Sequence, residues 1–265
     1  MGRALELITG FVTAPSTTNT ALTLATGNTL TVRSHPFENA AMLLQAWADN
    51  QTSGVLRIRS PRLHDQVQGI RLDVLASEVV PLLPRGATQR LFPQDTLVVD
   101  LTGSAAAGDI ETACLLVYYG DLPGIDSRLL RPEEVMPRIR HIVTVENTLA
   151  LGTAGGYSGE EAIDAEFDLL RANTDYAILG YLVDAECAAV RYRGPFSGNL
   201  GVGGPGTATT RELTRDWFVR MAMDYDLPLI PVFNAADKSN VLIDGAQDEN
   251  GIDVTVTTIL AQLDA

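Results

Sequence analysis

Apolar residues recur at every second position along much of this chain. Stretches 5–13, 21–33, 55–59, 70–75, 96–102 and 110–119 are rich in β-branched and apolar residues, and many alternate with polar ones. That period of two predicts half-buried β-strands. Clusters such as Ala14-Pro15-Ser16 and Gly103-Ser104 separate them as turns. A second series follows at 141–150, 176–183, 188–192, 229–233, 241–244 and 254–263. Short, evenly spaced strands with polar turns predict β-sandwiches. The expected fold is therefore all-β: two tandem jelly-roll-like β-sandwiches with a few short helices. Helices are expected at 37–49, 160–172 and 211–226. In the last, Leu213, Trp217, Met221 and Tyr225 share one face, and Thr209 or Thr210 can cap it.

The order of segments repeats. Leu43-Leu44-Gln45-Ala46 matches Leu169-Leu170-Arg171-Ala172. Leu56-Arg57-Ile58-Arg59-Ser60-Pro61 matches Val190-Arg191-Tyr192-Arg193-Gly194-Pro195. Val80-Pro81-Leu82-Leu83-Pro84 matches Leu227-Pro228-Leu229-Ile230-Pro231, and Gly108-Asp109-Ile110 matches Gly251-Ile252-Asp253. The offsets drift through 126, 134, 147 and 143, as insertions between matched strands would produce. This predicts a tandem duplication: a first sandwich over 1–125, a linker over 126–137 and a second sandwich over 138–265. Prolines and glycines mark the linker, with a short helical turn at Pro132-Glu133-Glu134-Val135. The 211–226 helix has no counterpart in the first half and reads as an insertion in the second.

Composition narrows the function. The chain has 265 residues with 19 basic and 33 acidic side chains, a formal net charge of −14. Such a surface repels phosphate backbones and acidic membranes, so no specific nucleic-acid partner is expected. Lys238 is the only lysine, and the other basic residues are arginines. No apolar run reaches the roughly 20 residues of a membrane span. The N-terminal residues lack the apolar core of a signal peptide, so synthesis in the cytoplasm is expected.

Candidate chemistry is sparse. Cys114 and Cys187 sit in apolar strands and read as buried thiols. His35, His64 and His141 are isolated in sequence and read as surface or loop residues. A metal-binding bicupin would need an HxH pair, and the chain has none. The glycine-rich run 198–206 lacks the Gly-Lys-Ser/Thr of a phosphate loop and is interrupted by Pro205, so it reads as an extended surface loop. Acidic pairs such as Asp184/Glu186 and Glu160/Glu161 lack a calcium-loop pattern and read as solvated. Asn50-Gln51-Thr52 is a glycosylation triplet. No cofactor, no metal and no catalytic set are expected, and the chain reads as something other than an enzyme.

The arginines are more informative. Arg57/Arg59 and Arg191/Arg193 lie two apart on strands, so each pair shares a sheet face. They can pair with acids on neighbouring strands, or form contacts to the acidic surface of another subunit. The candidate subunit contacts are Arg57, Arg59, Arg191 and Arg193, with Gly201, Gly203 and Gly204 of the glycine-rich loop. Loops at 14–19, 103–108, 152–159 and 196–209 would order against neighbouring subunits.

Two fused β units without a catalytic set, the Pro-Leu-Leu-Pro and Pro-Leu-Ile-Pro strand entries, and the long closing strand of each half resemble the double jelly-roll major capsid proteins of tailless icosahedral viruses. Segments 111–124 and 227–234 are similar to phage virion proteins. The resemblance implies a virion coat subunit whose partners are copies of itself, as a trimer within a larger shell, with other virion proteins possible. A filament or sheath subunit and a tandem carbohydrate-binding module are the alternatives. A coat or filament subunit would form large particles, whereas a lectin-like module would stay small and carry an aromatic-lined cleft.

Overall fold

The computed structural model describes residues 2–13, 20–25, 27–35, 41–63, 65–102, 109–151, 154–165, 169–247 and 252–264. The first half runs β1 (Gly2–Thr13), β2 (Thr20–Ala21), β3 (Thr23–Leu24), β4 (Ala41–Asp49), β5 (Gly54–Arg59), β6 (Ile70–Val74), β7 (Gln89–Leu91), β8 (Val98–Thr102) and β9 (Ile110–Leu122). Then come β10 (Leu129–Leu130), the helical turn α1 (Pro132–Val135) and β11 (Ile139–Leu151). The second half continues with β12 (Gly156–Tyr157), β13 (Glu161–Ala162), β14 (Asp175–Val183), β15 (Cys187–Arg193) and β16 (Val202–Gly206). Helices α2 (Arg211–Thr214) and α3 (Trp217–Tyr225) precede β17 (Ile230–Asn234), β18 (Leu242–Gln247) and β19 (Ile252–Leu263).

Four antiparallel sheets result. Sheet A has the order β2-β8-β5-β6 and sheet B the order β3-β1-β9-β4-β7. Sheet C is β12-β18-β15-β16, with β13 also on β18, and sheet D is β10-β17-β14-β19-β11. Sheets A and B interleave early and late strands of the first half in jelly-roll fashion, and sheets C and D do the same with the second. The correspondence reaches the register. The β1–β9 ladder slips between Gly2 and Ala4, and the β11–β19 ladder slips between Ile139 and His141. The β4–β9 ladder slips between Leu43 and Gln45, and the β14–β19 ladder between Ile178 and Gly180. The extra residue lies on β4 and on β14 alike, so these strands bend at the same place, whereas the first pair of slips puts it on β9 in one sandwich and on β11 in the other.

Sheet B is covered on both sides. Ala4, Ile8, Leu43, Leu115 and Val117 face sheet A and form a core with Leu56, Ile58, Val99 and Leu101. Leu5, Leu7, Phe11, Leu44, Trp47, Cys114 and Leu116 face the other way and join the core of the second half. Burying each such Leu or Phe is worth about 1.5–3 kcal/mol, so the seam between sandwiches is a stabilising core in its own right. The four sheets stack in the order A, B, C, D.

Several expectations fail for stated reasons. The 37–49 helix is instead strand β4, with 36–40 outside the described residues. A strand covered on both faces is apolar throughout and loses the period of two. The 160–172 helix is absent among the described residues, and Glu161 and Ala162 pair with Ile243 and Leu242 of β18. Here strand pairing overrides helix propensity. Leu43–Ala46 lie inside β4 whereas 169–172 precede β14, so that sequence match joins non-corresponding places. The 211–226 helix is present, broken into α2 and α3, and ends on Asp226 in the left-handed region. Leu213, Trp217, Met221 and Tyr225 are all buried, as the one-face spacing requires.

Candidate functional site

The arginine pairs occupy corresponding strands. Arg57 of β5 lies opposite Asp100 of β8, and Arg191 of β15 lies opposite Asp244 of β18. In the first half, Arg57 and Arg59 reach the same Asp100 oxygen at 3.2 Å and 2.6 Å. In the second, Arg191 Nε donates to Asp244 Oδ1 at 2.8 Å and its terminal nitrogen pairs with the other oxygen. Arg193 pairs with Glu160. Cross-strand Arg–Asp pairing on an outward sheet face is thus the arrangement in both halves.

Their surroundings differ. Arg57 and Arg59 are about a quarter exposed on the free face of sheet A, at 22% and 26%. Arg191 is buried, because the outward face of sheet C is the one laid against the first sandwich. Its guanidinium stacks 3.5 Å from the Tyr157 ring centroid, a desolvated cation–π contact. Tyr157 shares a hydrogen bond with Thr9 of β1. Burial raises the Asp244 carboxyl above its ordinary range, and the hydrogen bonds from Arg191 oppose that rise. Burial likewise pushes the Tyr157 hydroxyl far up. A cleft of about 420 Å³ opens beside this group, lined by Leu24, Ala25, Ser158, Glu160 and Arg193 among others.

Gly198 and Asn199 of the glycine-rich run are exposed, as a surface loop requires, but Val202–Gly206 are buried. Residues Val202–Gly206 form strand β16 within the seam. A Cβ on Gly203 would stand 2.1 Å from Val190 O, and one on Gly204 would stand 2.5 Å from the Trp217 ring. One on Gly201 would stand 2.4 Å from Arg191 Cδ. Glycine is needed here for close approach: Leu7 N donates to Gly201 O at 2.7 Å, and Trp217 Nε1 donates to Gly203 O at 2.9 Å. Gly203 and Gly204 therefore face their own chain and offer no surface to another. Trp47 Nε1 donates to Ala188 O at 2.8 Å, and Trp47 meets Trp217 edge-on at 6.1 Å.

The remaining candidates do not converge. His35 is buried, contrary to its reading as a surface residue, and neither ring nitrogen has a hydrogen-bond partner among the described residues. His141 is exposed on β11, and His64 lies outside the described residues. Both cysteines are buried and free. Burial pushes the Cys114 thiol up to about 12 and Cys187 higher still. Among the described residues no group of three or more His, Cys, Asp or Glu side chains could hold a metal ion, and no helix is long and apolar enough to cross a membrane. Asn50 is buried and its Nδ2 donates to Thr102 O at 3.0 Å.

Sequence reasoning missed Asp100, Asp244 and Tyr157. The first two carried a signal: each is an acid inside an otherwise apolar strand, at the spacing that faces an arginine strand. Tyr157 carried none: it reaches Arg191 because β12 and β15 both pair with β18, a long-range arrangement with no local signature.

No family model matches the chain, and no curated protein matches it. Two solved structures are similar along nearly its whole length. The PBSX exported protein XepA is 11% identical, with 96% of this chain and 86% of that one covered and a TM-score of 0.29. A chain of the Sulfolobus turreted icosahedral virus is 11% identical, with 98% of this chain and 82% of that one covered and a TM-score of 0.22. The fold assignment rests on the strand order and register above.

Proposed function

We propose that the chain is a self-assembling structural subunit, most specifically a coat subunit of a virus or phage, and that its two halves are copies of one unit. The observation that carries this reading is the jelly-roll strand order occurring twice in one chain, with a corresponding bulge on β4 and β14 and corresponding Arg–Asp pairs. Jelly rolls are a recurrent shell-building unit, although fold alone does not dictate function. The units are 1–125 and 138–265, with 126–137 as the link. Three such chains would present six similar sandwiches, which suits a trimer tiling a closed shell in the virion. The chemistry is structural rather than catalytic: the arginines near the cleft are held by acids, and the thiols are buried and held protonated. A filament is the second reading, because the two end faces of the stack are unlike and heterologous contacts can close into rings or run on.

Light scattering and electron microscopy of the purified protein test the proposal. Particles or discrete oligomers well above 28.4 kDa are expected. A single-chain mass at high concentration across a range of salt would overturn it.

A further inference from the structure

The stack A-B-C-D has one internal contact between sandwiches and two free end faces. Each end face corresponds to one side of the internal contact: sheet A to sheet C, and sheet D to sheet B. We infer that sheet A of one copy docks on sheet D of the next, repeating between chains the contact that sheets B and C make within one. This rests on the self-assembly reading and names the surfaces it would use.

The register gives the correspondence. Thr9 lies opposite Cys114 and Glu146 lies opposite Thr257, at the same places in the β1–β9 and β11–β19 ladders. Thr9 is the seam residue bonded to Tyr157, over which Arg191 stacks. Its counterpart Glu146 is exposed, and the counterparts of Arg191 and Arg193 are Arg57 and Arg59. Repeating the seam would therefore bring a carboxylate to the two arginines of sheet A. Leu7 sits over Gly203 in the seam. Their counterparts are Thr144, which is exposed, and Arg71, whose side chain is 61% exposed.

Charge favours this pairing over a two-fold contact of like faces. Sheet A presents Arg57, Arg59 and Arg71 against Asp73 and Asp100. Arg57 and Arg59 both reach the single Asp100 carboxylate, and their side chains remain 22% and 26% exposed. Sheet D presents Glu146 and Asp253, both exposed and neither in an ion pair among the described residues. Arginine forks are the donors best matched to carboxylates. In a chain of net charge −14, a face with more arginines than acids is the exception. The strand edge agrees. In the seam, Leu7 N of the β1 edge donates to Gly201 O of the second sandwich, and Arg3 N donates to Ser127 Oγ of the link. The corresponding β11 edge is paired only on its β19 side among the described residues. Threonines and carboxylates on sheet D suit an interface between chains that fold first and meet afterwards.

Two single-cysteine variants, Thr144→Cys and Arg71→Cys, test the surfaces when mixed under mild oxidation, one carrying a tag that changes its size. The native thiols are buried and stay silent. A disulfide joining the two variants is expected, with little product from either alone. Self-linking of Thr144→Cys would overturn the inference in favour of a two-fold contact of sheet D. No mixed product, with wild-type protein still assembling by light scattering, would overturn the surface assignment and leave the self-assembly reading standing. A single-chain wild-type mass would overturn both. Independently, Glu146→Arg should raise the half-assembly concentration about tenfold or more through like-charge contact, with no change in thermal midpoint, and Arg71→Glu should partly restore assembly. Unchanged assembly of Glu146→Arg would also count against the proposed contact.

Discussion

The outward faces of sheets B and D have corresponding strands and register and share the β4/β14 bulge, yet differ in chemistry. Leu5, Leu7, Thr9 and Phe11 on β1 correspond to Ile142, Thr144, Glu146 and Thr148 on β11. Cys114 and Leu116 on β9 correspond to Thr257 and Ile259 on β19, and Leu44 and Trp47 on β4 to Leu179 and Leu182 on β14. The sheet B set is buried under the second sandwich, whereas Ile142 is 56% exposed. One backbone thus serves as a dry seam or a wet face depending on whether side chains are apolar or are threonine and glutamate. The same holds for the Arg–Asp pairs, where identical register yields a fully buried pair in one half and, in the other, a buried Asp100 with partly exposed arginines.

Substitutions can break this comparison. The largest effect is expected from Arg191→Ala, which strands Asp244 as a buried, unpaired charge at a cost of about 3–5 kcal/mol. The matched Arg57→Ala should cost about 1 kcal/mol or less, because the pair is partly solvated and Arg59 still reaches Asp100. Urea denaturation of both variants measures the contrast, and equal losses would mean that the seam does not desolvate Arg191. It follows that Arg191 tests folding rather than assembly.

Next in size is Leu7→Thr, which places the sheet D residue type in the seam. A loss of about 2–4 kcal/mol is expected from lost burial and a poorly matched hydroxyl. The reverse exchange, Thr144→Leu, should stay within about 0.5 kcal/mol because its site is exposed. Denaturation midpoints of this pair would show whether the two faces differ in burial as described.

Gly203→Ala should cost about 1–3 kcal/mol through overpacking, since the Val190 carbonyl it meets is backbone. Thermal unfolding checks it. Arg71→Ala on the corresponding strand of sheet A should leave the midpoint of the single chain unchanged.

The smallest effect concerns the linking strand. Burial tends to raise the Asp175 carboxyl, but hydrogen bonds from Arg128 and Asn234 and the charges of Arg128 and Arg138 outweigh it, so its pKa is lowered. A lowered folded-state pKa adds stability above the ordinary value of 3.8 that is lost as pH falls through the folded value. Asp175→Asn should therefore lose that small contribution at neutral pH, where it is fully present, and flatten the acid limb of a pH–stability curve.

Much of the architecture is legible in the pattern of residues. Alternation locates strands such as β5, β6 and β19, a continuous apolar run locates β9, and the Leu56–Pro61 match to Val190–Pro195 picks out corresponding strands. The Leu213-Trp217-Met221-Tyr225 face marks the helical insertion. These signals are local: a strand with one wet face, or a helix with one dry face, writes its period into adjacent residues. The arginine pairing was half legible, since alternation puts Arg57 and Arg59 on one face, while their shared Asp100 comes from a strand more than 40 positions away.

What only the tertiary structure decided is what lies over each face. β4 lost its alternation because sheet B is covered on both sides, and so it read as a helix. The run Val202–Gly206 reads as part of an extended surface loop because glycine is permissive, yet here glycine is needed for close approach to Val190, Trp217 and Tyr181. Arg57 and Arg191 have near-identical sequence neighbourhoods, and nothing local separates a surface ion pair from a buried one. Burial is a property of the partner surface, and the surface over Arg191 is assembled from residues far away along the chain.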